Sequence, residues 1–155
     1  MTMDIGIPDP ARKDVALGLC RLLADSYALY LKIHGFHWNV TGPSFQTLHL
    51  MFMGQYTELW NALDVIAERI RSLGEFAPGS YTTLRSFTSI PDSEGVPDAQ
   101  SMLREVLAGH EAVIRTARSI LPLAERAGDQ VSADVLTQRL NVHEKTAWML
   151  RSMLG

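Results

Sequence analysis

Cysteine, lysine and long apolar runs are scarce in this chain. Cys20 is the only cysteine among 155 residues, so no intrachain disulfide is available. A lone thiol in a helical pattern is read as a small buried apolar residue, and a reducing compartment is its simplest setting. Only three of the 14 basic residues are lysines (Lys13, Lys32, Lys145), against 17 acidic residues, and a net charge of −3 offers no general basic surface for nucleic acid. No window approaches about 18 uninterrupted apolar residues, and the opening stretch MTMDIGIPDPARKD lacks the basic and apolar regions of a signal peptide. A cytoplasmic protein without a membrane partner is expected. The motifs GxGxxG, Walker A, CxxC, HExxH and GxSxG are absent, which removes the common nucleotide, zinc and serine-nucleophile readings.

What is present is helical periodicity. With 46% apolar and 20% charged residues the chain can build one sizeable core, read as a single domain over 1–155 with a short tail over 1–10. Apolar residues recur at three-and-four spacing from about Pro10 to Trp38 (Val15, Leu19, Leu22, Leu29, Ile33, Phe36) and again from about Ser44 to Leu73 (Leu48, Phe52, Leu59, Leu63, Ile66, Ile70). Thr41-Gly42-Pro43 separates the two segments, with Ser44 as the expected cap of the second. From Gly74 to Pro97 the composition turns to Gly, Pro, Ser and Thr, a long connection with a short helix over Tyr81–Phe87. A third long helix is expected from Pro97-Asp98, with Pro97 in its first turn and Pro122 ending or kinking it. A fourth follows Gly128-Asp129, with Ser132 as candidate cap. Four long helices joined by short, long and short connections describe an all-α, ferritin-like four-helix bundle with a short helix in the long crossover.

Chemistry is carried by histidines and carboxylates, a ligand set suited to iron and other first-row metals. His37 and His49 flank the first interhelical turn, where their imidazoles can converge, and His34 lies one turn before His37. Asp64 and Glu68 share a face of the second helix at i, i+4 and can hold one cation together. Yet Asp64 lies fifteen residues beyond His49 on one helix, roughly 22 Å at about 1.5 Å per residue. Either the two pairs are separate features, or an antiparallel second copy brings the carboxylates of one chain to the histidines of another, twice in a twofold dimer. The ordinary alternative for Asp64 and Glu68 is a solvated face or pairing with arginine, Arg69 or Arg71. His110 and His143 read as surface or hydrogen-bonded histidines, and Trp38, Trp60 and Trp148 as fillers of core or interface space. An intrachain di-iron centre draws on Glu-x-x-His pairs, and none occurs in the chain.

The stretch YLKIHGFHWNVTGPSFQTLHLMFMGQYTELWNALDVIAERIRSLG, Tyr30 to Gly74, resembles the Dps family of mini-ferritins. The resemblance is carried by His37-Trp38-Asn39, Gly42-Pro43, Phe45, His49, Asp64 and Ile66-Ala67-Glu68-Arg69, and extends to the closing His143-Glu144-Lys145 and Trp148-Met149-Leu150. It implies a homo-oligomer, a hollow dodecamer of twofold dimers, with ferroxidase sites at the twofold interfaces. His37 and His49 would come from one chain and Asp64 and Glu68 from its partner, as both catalytic and metal-binding residues. Fe(II) would be oxidised preferentially by hydrogen peroxide and stored as Fe(III), protecting against oxidative stress, with no haem. Trp38, beside a ligand, is the candidate electron donor when one iron of a pair is missing. Asp129 and Asp134 fall where the family lines the threefold pores that admit iron.

Two departures bear on that activity. Four residues after His49 the family usually has a carboxylate for the second iron, and here stands Met53, whose thioether is a poor ligand for hard iron. Leu50, Met53 and Gly54 also occupy positions where acidic residues usually nucleate mineral. The alternative reading is therefore the same cage acting as a metal buffer or a nucleoid-associated protein, with weak ferroxidase activity. Before the first helix only Arg12 and Lys13 stand against Asp4, Asp9 and Asp14, and no basic extension follows Ser152-Met153-Leu154-Gly155, so direct DNA binding is not expected.

Overall fold

The computed structural model describes residues 2–155, so residue 1 of the expected tail lies outside the described residues. Five helices follow one another: α1 (Asp9–Asn39), α2 (Phe45–Ser72), α3 (Tyr81–Phe87), α4 (Ala99–Arg126) and α5 (Gln130–Leu154). Among the described residues there is no strand. This is the expected all-α, ferritin-like bundle, with the short α3 between α2 and α4. Among the described residues no helix is long and apolar enough to cross a membrane.

The apolar repeat explains the packing. Val15, Leu19, Leu22, Leu29 and Ile33 of α1 are sealed against Phe52, Leu59, Ile66 and Ile70 of α2 and Met102, Val106, Val113 and Ile120 of α4, with Leu136, Ala147 and Leu150 closing the core from α5. Cys20 belongs to this core, and burial pushes its thiol pKa upward. At Gly18 the contact between α1 and α4 is close: an added Cβ would meet Ile120 side-chain carbons at 2.9 Å, tighter than van der Waals contact permits. Burying this stripe is what holds helices of this length together, since propensity alone is marginal in water.

Helix ends depart from several expectations, each for a local reason. Pro97 lies outside α4, whose N-cap is Asp98, its carboxylate accepting from the Ser101 N–H at 2.8 Å. Pro122 does not end α4, which continues to Arg126. A proline removes only the bond to the residue four before it, and here a single further turn follows. The cap of α5 is Asp129 rather than Ser132: the Asp129 carboxylate accepts from the Ser132 N–H at 3.0 Å. Ser44 occupies the N-cap position of α2 without a side-chain capping bond. The helices α2 and α4 close with glycines in the left-handed region, Gly74 (φ +91°) and Gly128 (φ +67°). The following amides bond back to Ile70 and Ala124, satisfying carbonyls that the helices leave open.

The crossover is pinned by one buried carboxylate. Asp25 of α1 accepts from the hydroxyls of Thr88 (2.8 Å) and Thr116 (2.6 Å), the amide of Ser89 (2.6 Å) and the hydroxyl of Ser89 (3.0 Å). One side chain thereby ties the chain after α3 to both α1 and α4. Arg12 makes a second tie, donating from its guanidinium to the Leu73 carbonyl at the end of α2 and pairing with Asp9. It lies inside α1 and is buried, not in a tail.

Candidate metal centre

The α1–α2 turn brings two of the expected ligands together. α1 ends at Asn39, which leaves the His37 carbonyl among the last four without an intrahelical donor. His49, early in α2, supplies that donor from Nδ1 at 2.7 Å, and His37 Nδ1 donates to the His49 carbonyl at 2.7 Å. Because a carbonyl can only accept, both rings carry their proton on Nδ1. In the neutral ring this leaves both Nε2 lone pairs for a metal, the arrangement in which a backbone carbonyl orients a ligating imidazole. The rings stack at 3.8 Å and 11°, Phe45 stacks on His49 at 5.0 Å, and the Tyr56 edge meets His37 at 5.2 Å.

The carboxylates stand elsewhere. Asp64 and Glu68 lie on the exposed face of the continuous α2, so the separation of roughly 22 Å from His49 stands. Neither arginine is diverted to them: Arg69 pairs with Asp129 at 2.7 Å, and Arg71 lies over the Phe76 ring at 4.5 Å. Among the described residues no three His, Cys, Asp or Glu side chains converge within the chain. Met53, one turn after His49, is exposed. The three tryptophans fill no core space in the chain; Trp38, Trp60 and Trp148 are each about 60% exposed.

The two pore candidates differ in setting. Asp129 is buried, accepting from Ser132 N–H and Arg69, while Arg69 Nε also donates to the Ser132 hydroxyl at 2.9 Å. Asp134 is exposed and accepts from the Gln138 amide at 2.7 Å.

Two clusters go beyond the sequence reading, in which His110 and His143 are surface or hydrogen-bonded histidines; of these the hydrogen-bonded alternative holds, and both are buried. His34 stacks on Tyr56 (4.0 Å, 15°) and packs against Trp38 (4.2 Å), while its Nδ1 lies 3.0 Å from the Tyr30 hydroxyl. The other cluster fills the bundle interior. Arg139 donates to both oxygens of Glu58 (2.6 and 2.8 Å) and to His143 Nε2 (2.9 Å). Since guanidinium has no acceptor, His143 must carry its proton on Nδ1, donate it to His110 Nδ1 at 2.8 Å, and leave His110 Nε2–H to the Gln55 carbonyl at 2.9 Å. Burial and then the Arg139 charge push His110 down to about 3, and burial, His110 and Arg139 push His143 well below the usual value. Both rings are thereby held neutral beside the Arg139 guanidinium. Their signal was a polar residue falling on an apolar repeat, His110 between Val106 and Val113, and His143 between Leu140 and Ala147.

Comparison with known proteins agrees with this architecture. The ferritin-like domain family matches residues 17–155. A DNA protection during starvation protein of Brevibacillus brevis is 34% identical over 90% of this chain and 94% of its own length. The chain belongs to the Dps family. An uncharacterised low-temperature-induced protein of Nostoc is 38% identical, covering 98% of this Dps chain and 86% of the relative. Among solved structures, the Dps protein of Vibrio cholerae superposes with a TM-score of 0.95 at 28% identity, over 100% of this chain and 98% of that one. That protein is described as a member of a broad superfamily of ferritin-like diiron-carboxylate proteins.

Proposed function

We propose that this Dps protein is a cytoplasmic ferroxidase that binds Fe(II) at intersubunit sites, oxidises it with hydrogen peroxide and stores the ferric product in a hollow dodecamer. The observation that carries the reading is the split of the donor set. His37 and His49 lock each other with Nε2 free, while Asp64 and Glu68 stand exposed and, among the described residues, unpaired, at a distance that one metal cannot span within a chain. An antiparallel partner repairs both deficits at once and yields two equivalent sites.

Iron is the substrate, and the donor set fits it. Two imidazole nitrogens and two carboxylates suit Fe(II), and the carboxylates offset the added charge as it becomes Fe(III). Two Fe(II) each give one electron to hydrogen peroxide, which with two protons becomes two waters, so no hydroxyl radical is released. Asp134, with Asp129 behind it at the start of α5, marks the end of the bundle through which iron is proposed to enter. Met53 supports the second reading, a cage that buffers metal with little oxidase activity, because its thioether stands one turn from His49 where a carboxylate would hold a second iron.

An anaerobic Fe(II) titration of the assembled protein, followed by hydrogen peroxide, tests the choice. The ferroxidase reading expects saturable binding and about two Fe(II) oxidised per peroxide, as a two-electron acceptor requires. Binding without accelerated oxidation supports the buffer reading. Absence of saturable binding overturns both.

A further inference from the structure

Aromatic rings lead away from the histidine pair in an unbroken series. Tyr56 touches His37 (5.2 Å) and stacks on His34 (4.0 Å), Tyr30 meets Tyr56 (6.2 Å) and His34 (5.5 Å), and Trp60 meets Tyr30 (5.6 Å). Within this set Tyr30 is distinguished by chemistry. Its hydroxyl lies 3.0 Å from His34 Nδ1. A phenol is a far stronger acid than a neutral imidazole N–H, so the phenol donates and the ring nitrogen accepts. Burial, with Tyr27 and Tyr56 beside it, raises the pKa of Tyr30, which keeps the phenol protonated.

A phenol gives up an electron far more easily when its proton can leave in the same step. From this geometry we propose that Tyr30 is a one-electron donor to the metal centre, with Tyr56 the ring between it and His37 and His34 Nδ1 the acceptor of its proton. The inference rests on the peroxide-dependent oxidation proposed above. A site holding a single Fe(II) supplies one of the two electrons that peroxide needs. Tyr30 supplies the other. Fe(II), hydrogen peroxide, tyrosine, neutral imidazole and two solvent protons give Fe(III), two waters, a neutral tyrosyl radical and an imidazolium. Peroxide is thus reduced fully even where Met53 leaves the second iron position weak. A later Fe(II) returns the electron to Tyr30, and His34 returns the proton.

The test has an iron-free arm and an iron arm. Metal-free assembled protein is photo-oxidised with ruthenium tris-bipyridine and persulfate, freeze-trapped, and read by electron paramagnetic resonance. Protein loaded with Fe(II) below one per subunit is treated with hydrogen peroxide and read in the same way. A tyrosyl signal that narrows on deuterating the tyrosine rings is expected in both arms, lost in Tyr30→Phe and kept in Tyr27→Phe. His34→Phe removes the proton acceptor, and radical formation slows by about a hundredfold, the low end for loss of a positioned acid–base partner. A signal that survives Tyr30→Phe, or one on Trp38, overturns the donor assignment. Iron oxidation with no Tyr30 radical in either arm overturns it alone. A Tyr30 radical in the iron-free arm with no iron oxidation overturns the ferroxidase reading and, with it, the iron-linked role.

Discussion

His37 and His49 hold each other by a reciprocal exchange, the Nδ1 of each donating to the backbone carbonyl of the other at 2.7 Å. One pair of bonds closes the α1–α2 turn, satisfies an open carbonyl at the end of α1 and fixes both imidazoles in the tautomer a metal needs. Folding and ligand preparation are the same event at this turn.

Replacing one member separates those roles. His49→Ala removes a metal ligand and the donor to the His37 carbonyl. Asp64→Ala removes an exposed carboxylate that has no side-chain partner among the described residues. Fe(II) oxidation by peroxide is expected to slow by about tenfold or more in both. The melting temperature should fall in His49→Ala and stay within error in Asp64→Ala. Stopped-flow absorbance and calorimetry check the two halves, and a wild-type rate in Asp64→Ala would count heavily against the site.

Met53 is exposed and one turn from His49. Exposed substitutions usually change stability by no more than about 0.5 kcal/mol, so Met53→Glu is expected to leave the fold intact. The added carboxylate should raise both the Fe(II) bound per subunit in the anaerobic titration and the initial oxidation rate. An unchanged stoichiometry would show that the second iron position does not depend on this side chain.

The buried His110–His143 pair sets a pH dependence with a definite sign. Both folded-state pKa values lie below the unfolded value of 6.5, that of His110 at about 3. Between those limits the unfolded chain binds more protons than the folded one, so stability is complete above about pH 6.5 and declines as pH falls toward 3. Each histidine contributes a slope of up to about 1.4 kcal/mol per pH unit in that window. Urea unfolding from pH 7 to 4.5 measures it, and replacing both rings together (His110→Phe with His143→Leu) should flatten the curve relative to the parent.

Arg12 is one of the two cations near the N-terminus available to a DNA phosphate by sequence, but its guanidinium is buried against the Leu73 carbonyl and Asp9. Arg12→Ala is expected to lower stability by about 1.5–3 kcal/mol, the range for hydrogen bonds to charged groups. It should leave DNA retention in a low-salt gel unchanged and near background. A salt-sensitive shift that Arg12→Ala abolishes would contradict this placement.

The sequence made the bundle legible because apolar residues at three-and-four spacing mark α1, α2, α4 and α5, and the change to Gly, Pro, Ser and Thr marks the crossover. The ends were less legible. Pro122 looks like a stop, yet it removes one bond near a helix end and the helix continues to Arg126. At the candidate site, spacing shows that His37 and His49 flank one turn, but not the carbonyl exchange, which depends on how α1 stops. Contacts between residues far apart along the chain were hidden altogether. Asp25 meets Ser89 and Thr116, and His110 meets His143, through packing that no local pattern encodes. Only the presence of such polar residues on apolar stripes signalled buried partners.

The split of the site between two chains is tested most directly by complementation. Chains carrying His37→Ala and His49→Ala are co-expressed in equal amounts with chains carrying Asp64→Ala and Glu68→Ala, and Fe(II) oxidation by the mixed assembly is compared with each variant alone. Random pairing across twofold interfaces rebuilds about a quarter of the sites, each from the intact histidines of one chain and the intact carboxylates of the other. The account predicts that each variant alone is inactive and that the mixture recovers about a quarter of the wild-type rate. A mixture no more active than its parents, in assemblies shown by mass spectrometry to contain both chains, would contradict it.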